Sequence, residues 1–184
     1  LHHPLTGLPN RSSFEMKLSE LTHSNDRKRY GVVIIHLNNL NSVTKTLGHR
    51  NSDRILELAS KHYNAVIRDV PGAIALEQSD LRNFYVASLD PQTFAFLVDA
   101  SEAEAATTAV LRSIEEVRYP VDFLGMQVPL APQLGVAIYP EHGTDANTLI
   151  RRAVIAEGSE RARDRGIAYY KPSRDSYSAE SLTL

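Results

Sequence analysis

Apolar positions along the chain change rhythm several times, and each change marks an element. Asn10 precedes a run in which Phe14, Leu18 and Leu21 recur at helical spacing, so its side chain is placed to cap a first helix. The Leu5 to Asn10 stretch before it carries Gly and Pro and reads as a turn. Tyr30 to Leu37 (Y-G-V-V-I-I-H-L) is β-branched and almost continuously apolar, the pattern of a central strand covered on both faces. A short helical stretch, Leu40 to Leu47, stops at Gly48. A longer helix from about Ser52 to Val70 turns Ile55, Leu58, Ala59, Tyr63, Val66 and Ile67 inward, and Pro71-Gly72 ends it.

Residues 73–85 read as an extra surface segment, polar in the middle. Residues 86–98 (V-A-S-L-D-P-Q-T-F-A-F-L-V) form two apolar runs around a turn at Asp90-Pro91, a hairpin pattern. Ser101 to Val117 is an Ala- and Glu-rich helix. Val121 to Phe123 and Met126 to Val128 straddle Gly125 as a small hairpin, and Gln133 to Tyr139 is a buried strand. Thr144 to Arg163 reads as one helix opened by Thr144 or Asp145, and Ile167 to Tyr170 as a last strand. The order α, β, α, α, β, β, α, β, α, β predicts an α+β fold, a mostly antiparallel sheet with helices on one or both faces. No internal repeat is visible, and no interdomain linker precedes about residue 171.

Composition narrows the classes. The 184 residues suffice for one domain with a substantial core, and 42% apolar with 23% charged residues is ordinary for a globular protein. A net charge of −2 without a Lys/Arg stripe gives no footprint for nucleic acid. The absence of cysteine excludes disulfides and thiolate metal sites and suits a cytoplasmic location. No apolar run is long enough to span a bilayer and no signal-peptide pattern is present, which leaves room for an anchor in a longer, membrane-attached protein.

Five ordered segments then carry a resemblance. Pro4-Leu5-Thr6-Gly7-Leu8-Pro9-Asn10-Arg11 follows D-P-L-T-G-L-P-N-R, with His3 in the Asp place. Leu47-Gly48-His49 followed by Asp53 follows T-L-G-H-x-x-G-D, with Ser52 for the last Gly. Residues 86–98 align without a gap to V-A-R-L-G-G-D-E-F-A-x-L-L. Gly135 to Asp145 follows the strand and turn S-I-G-V-A-x-Y-P-x-x-G-x-D, and Ala162-Arg163-Asp164-Arg165-Gly166 follows A-K-x-x-G. Over residues 3 to 170 the chain thus resembles the GGDEF family of diguanylate cyclases. The resemblance implies a ferredoxin-like βαββαβ core, akin to the nucleotidyl cyclase and polymerase palm, with an extra helix in front.

The same resemblance implies a degenerate site. Family members join two GTP molecules into cyclic di-GMP, with magnesium held by carboxylates at the first strand's end and at the third letter of the signature. Those two places hold His36 and Gln92, so no metal site and no catalytic residue are expected. Asp90 and Pro91 replace the paired glycines that let backbone approach the nucleotide, and Thr93 replaces the catalytic fourth-letter carboxylate. The guanine-reading positions hold Thr44 and the retained Asp53, and the phosphate-contacting position holds Arg163, so GTP with magnesium enters only if nucleotide binding survives. The R-x-x-D product-inhibition motif would fall on Leu81 and Phe84, and no such site is expected.

Plainer readings stand beside these. His36 fits a hydrogen-bonded, half-buried histidine better than a zinc ligand, and Asp53 at a helix start is equally a cap. Arg151, Arg152, Arg161, Arg163 and Arg165, interspersed with Glu157, Glu160 and Asp164, read as a solvated salt-bridged face. His2, His3, His49, His62 and His142 are scattered and share no site.

Residues 1–171 form the degenerate domain in this reading, and 172–184 a linker or the start of a following domain. Tyr177 to Leu184 resembles the helix start that leads into an EAL phosphodiesterase domain. The resemblance therefore implies a regulatory, GTP-sensing or dimerisation module for an adjacent EAL-type domain. The alternatives are a working cyclase with an atypical site and a pure protein-interaction module.

Overall fold

A computed structural model describes residues 1–175, so the Tyr177 to Leu184 resemblance lies outside the described residues. Helix α1 (Arg11–Thr22) opens as expected where Asn10 Oδ1 accepts from the Ser13 amide at 3.0 Å. Strand β1 (Tyr30–Leu37), α2 (Leu40–Leu47) and α3 (His49–Arg68) follow. Short strands β2 (Ala73–Ile74), β3 (Glu77–Gln78) and β4 (Asn83–Phe84) lead to the signature hairpin, β5 (Val86–Asp90) and β6 (Thr93–Asp99). Beyond it come α4 (Ala103–Glu116), β7 (Arg118–Pro120), β8 (Gln127–Pro129) and β9 (Pro132–Tyr139). Helices α5 (Ala146–Glu157) and α6 (Glu160–Arg165) precede the last strand, β10 (Ile167–Tyr169).

The main sheet runs β10-β9-β1-β6-β2, with β5 also on β6; β1 is antiparallel to both β6 and β9, and β10 alone is parallel to its neighbour. Within it, β9-β1-β6-β5 joined through α3 and α4 is the ferredoxin-like βαββαβ arrangement implied above. Alternate side chains leave opposite faces of a strand. Val33, Ile35, Phe94, Phe96 and Val136 therefore enter one apolar layer with Ile55, Tyr63 and Ile67 of α3 and Val110 of α4. Val32, Ile34, Ala95, Leu97 and Ala137 enter the other with Phe14 and Leu18 of α1 and Leu149, Ile150 and Ala153 of α5. Burial on both faces is why β1 and β6 read as continuous apolar runs.

Four expectations needed correction. The helix expected over Thr144 to Arg163 is two helices. The Gly158 and Ser159 amides still donate back to Val154 O and Ala156 O, but Ser159 itself is extended and its hydroxyl caps the second helix by accepting from the Ala162 amide at 3.3 Å. The small hairpin's strands lie further from its tip than expected, because Tyr119 and Val128 are the buried residues while Phe123 and Met126 face solvent. Residues 73–85 do not lie wholly outside the sheet, since Ala73 and Ile74 pair with Val98 and Leu97 of β6. Finally, Glu157 is buried, and no ion pair forms on α5 or α6 among the described residues.

Candidate functional site

The sheet register brings the signature tip and the end of β1 together. His36, one residue before the end of β1, pairs with Thr93 on one side and Gln133 on the other. Its Nδ1 is hydrogen-bonded to the Thr93 hydroxyl at 3.1 Å; His36 is half-buried and Thr93 buried. The tip is a tight turn in which Asp90 pairs with Thr93 around Pro91-Gln92. Pro91 suits the second position of such a turn because its φ is preset. Asp90 Oδ1 accepts from the Gln92 amide at 2.8 Å, and Gln92 O accepts from the Leu37 amide at 2.9 Å. The Gln92 side-chain amide donates to Asn41 Oδ1, tying the tip to α2.

These bonds define what the site can hold. Magnesium takes hard, preferably anionic oxygen ligands. At the two metal positions the structure has an imidazole nitrogen committed to Thr93 and an amide committed to Asn41. Among the described residues no group of three or more His, Cys, Asp or Glu side chains is placed to hold a metal ion. This donor set does not fit magnesium.

One residue that the sequence reading set on the surface belongs here. Glu157 ends α5 with only 8% of its surface exposed, and its carbonyl accepts from Gln133 Nε2, the side chain of His36's sheet partner, at 3.1 Å. Burial, reinforced by the negative Asp90 nearby, pushes its carboxyl up to about 7. The signal was present: Glu157 falls four residues after Ala153, on the inward stripe of Leu149, Ile150 and Ala153. That helix sits so close to the sheet that a Cβ on Gly135 of β9 would lie 2.1 Å from Ala153 O and 2.3 Å from the Glu157 amide.

The three nucleotide candidates stand on three different helices, α2, α3 and α6. Thr44 turns its hydroxyl onto Leu40 O of its own helix at 3.0 Å. Asp53 lies in the fifth position of α3, whose cap is Gly48, so the cap reading is corrected. It instead lines an open groove of about 510 Å³ with Arg50, Arg54, Glu57, Pro120 and Asp122. Arg163 is exposed in the last turn of α6.

The ferredoxin-like sheet, with the signature hairpin set against the end of β1, is the architecture of a nucleotidyl cyclase-like signalling domain. The chain belongs to the GGDEF family: the family model described as "Diguanylate cyclase, GGDEF domain" matches residues 1–166. Its fold is similar to that of the solved GGDEF domain of TpbB from Pseudomonas aeruginosa, with a TM-score of 0.77 at 25% identity and 100% of both chains covered. Among curated relatives it is similar to the cyclic di-GMP phosphodiesterase NbdA of Pseudomonas aeruginosa, 26% identical over 90% of this chain and 20% of NbdA. It is likewise similar to MucR of that organism, a bifunctional diguanylate cyclase/cyclic di-GMP phosphodiesterase, 24% identical over 100% of this chain and 25% of MucR. The chain thus spans 20% and 25% of these relatives' lengths.

Proposed function

We propose that this chain is a catalytically inactive GGDEF domain of cyclic di-GMP signalling, a regulatory module for an adjacent EAL-type phosphodiesterase domain in the cytoplasm. The observation that carries the reading is the His36–Thr93 hydrogen bond, which occupies the strand end where the family's chemistry calls for carboxylates. Phosphoryl transfer without metal ions at that position has nothing to neutralise the charge developing on phosphate. The relatives named as phosphodiesterases support the neighbouring domain.

Incubating the pure chain with GTP and magnesium tests this. No cyclic di-GMP is expected by chromatography, and product formed in proportion to the amount of protein would overturn the reading.

Asp53 and its open groove favour one refinement, retained nucleotide sensing with Asp53 on the guanine. Calorimetry then shows GTP binding that Asp53→Ala abolishes. Absence of heat at millimolar GTP leaves a pure interaction module.

A further inference from the structure

The β7–β8 hairpin ends in Phe123-Leu124-Gly125-Met126, and its three large apolar side chains are 49%, 91% and 44% exposed. Leu124 and Gly125 both have positive φ, +52° and +70°, and the Met126 amide donates to Phe123 O at 2.9 Å. Such a two-residue turn favours Asn-Gly, because a branched side chain in the left-handed region costs on the order of 1 kcal/mol. Leu124 therefore adds strain and returns no packing within its own chain.

The stem below the tip is held firmly. Tyr119 and Val128 are buried, the Tyr119 hydroxyl is hydrogen-bonded to His62 Nδ1 at 3.2 Å, and Asn51 Oδ1 accepts from the Asp122 amide at 2.9 Å. The result is an apolar knob on a fixed stem, with the exposed Asp122 beside it.

A matching surface lies on the other side of the sheet. Helices α1 and α5 leave an open groove of about 370 Å³ whose apolar wall is Ile150, Val154 and Ile155 and whose charged residues are Arg11 and Arg151. Val154 is 39% exposed. The knob stands over the α3 layer and the groove over the α1–α5 layer, so one chain cannot fill its own groove.

We propose that the groove receives the hairpin knob of a second copy of this chain, Leu124 packing against Ile150 and Val154 while Asp122 faces Arg11 and Arg151. The charges favour this occupant: the apolar tip carries a carboxylate and the apolar groove carries two guanidinium groups. The two surfaces differ, so the contact is head-to-tail and propagates into a ring or a filament instead of closing as a two-fold dimer. It does not rest on the loss of catalysis, and it shares Asp122 with the Asp53 groove, so it is tested without nucleotide.

Sedimentation velocity on the 184-residue chain tests it, from micromolar to millimolar concentration. The average mass is expected to rise with concentration. Leu124→Asn suits the left-handed turn position, so it keeps or raises the unfolding temperature while weakening association about tenfold or more. Val154→Asp, at an already exposed position, weakens it equally from the groove side. Mixed together, the two variants each keep the surface the other lost, and they form a one-to-one dimer that grows no further. A wild-type chain monomeric throughout, association unaffected by either substitution, or a mixture that stays monomeric would each overturn the proposal.

Discussion

Nδ1 of His36 and the hydroxyl of Thr93 meet at 3.1 Å although 57 residues separate them in the chain. Each stands where the family's resemblance places a carboxylate, and together they form a polar contact without a carboxylate at the end of the sheet. Thr93→Val keeps the side chain's shape and removes the hydroxyl. It is expected to cost about 1 kcal/mol in urea unfolding, since His36 is half-buried and keeps some access to water. A cost near zero would show that the pair contributes nothing to holding the tip.

Gly135 tests the packing of α5. Its Cβ would meet backbone atoms of Ala153 and Glu157, which cannot move without shifting the helix. Gly135→Ala is expected to destabilise the domain by about 3 kcal/mol, at the upper end of overpacking costs. Thermal unfolding followed by circular dichroism reads the loss.

Glu157 gives a pH signature. Its carboxyl is raised from the ordinary 4.5 to about 7, so between those values the folded chain binds a proton that the unfolded chain has released. Stability must therefore fall as pH rises through that window and level off above about 7. Glu157→Gln removes this slope. Relative to wild type, the variant should gain about 2 kcal/mol at pH 8 after allowance for solvent screening, and nothing at pH 4. Parallel denaturation curves from pH 4 to pH 8 give the difference, and identical profiles would refute the burial argument.

Arg152 closes the end of the domain opposite the site. Its guanidinium lies 5.1 Å from the centre of the Tyr170 ring, and its Nη1 donates to His142 O at 2.9 Å. The Tyr170 hydroxyl in turn donates to Asp175 Oδ2 at 2.9 Å. Arg152→Ala is expected to cost about 1–2 kcal/mol and to raise proteolysis beyond Tyr170. Limited digestion with mass spectrometry measures the second effect.

Local elements were largely legible because local periodicity is a property of the chain alone. Tyr30–Leu37 and Leu40–Leu47 came out with the expected bounds, the first from an unbroken β-branched run and the second from Gly48 stopping the helix. The Gly158-Ser159 break was hidden, since an inward stripe continues through Ala153 and Ala156 to Ala162, and the break lies in the extended backbone of Ser159 and its cap on the Ala162 amide. The site was half legible. Losses at Asp90, Pro91, Gln92 and Thr93 are visible letter by letter, whereas Glu157 shows its burial only through its place on the inward stripe of α5, against the surface character of the arginines around it.

By itself the sequence determined the succession of strands and helices, the burial of β1 and β6 on both faces, and the missing carboxylates at the signature positions. Tertiary structure alone decided that His36 and Thr93 bond to each other, that Gln92 ties the tip to α2, and that Glu157 lies buried near Asp90. The physical reason is range. Hydrophobic period and turn chemistry act between near neighbours, while cross-strand register and the close approach of α5 at Gly135 arise only when both faces of the sheet are packed.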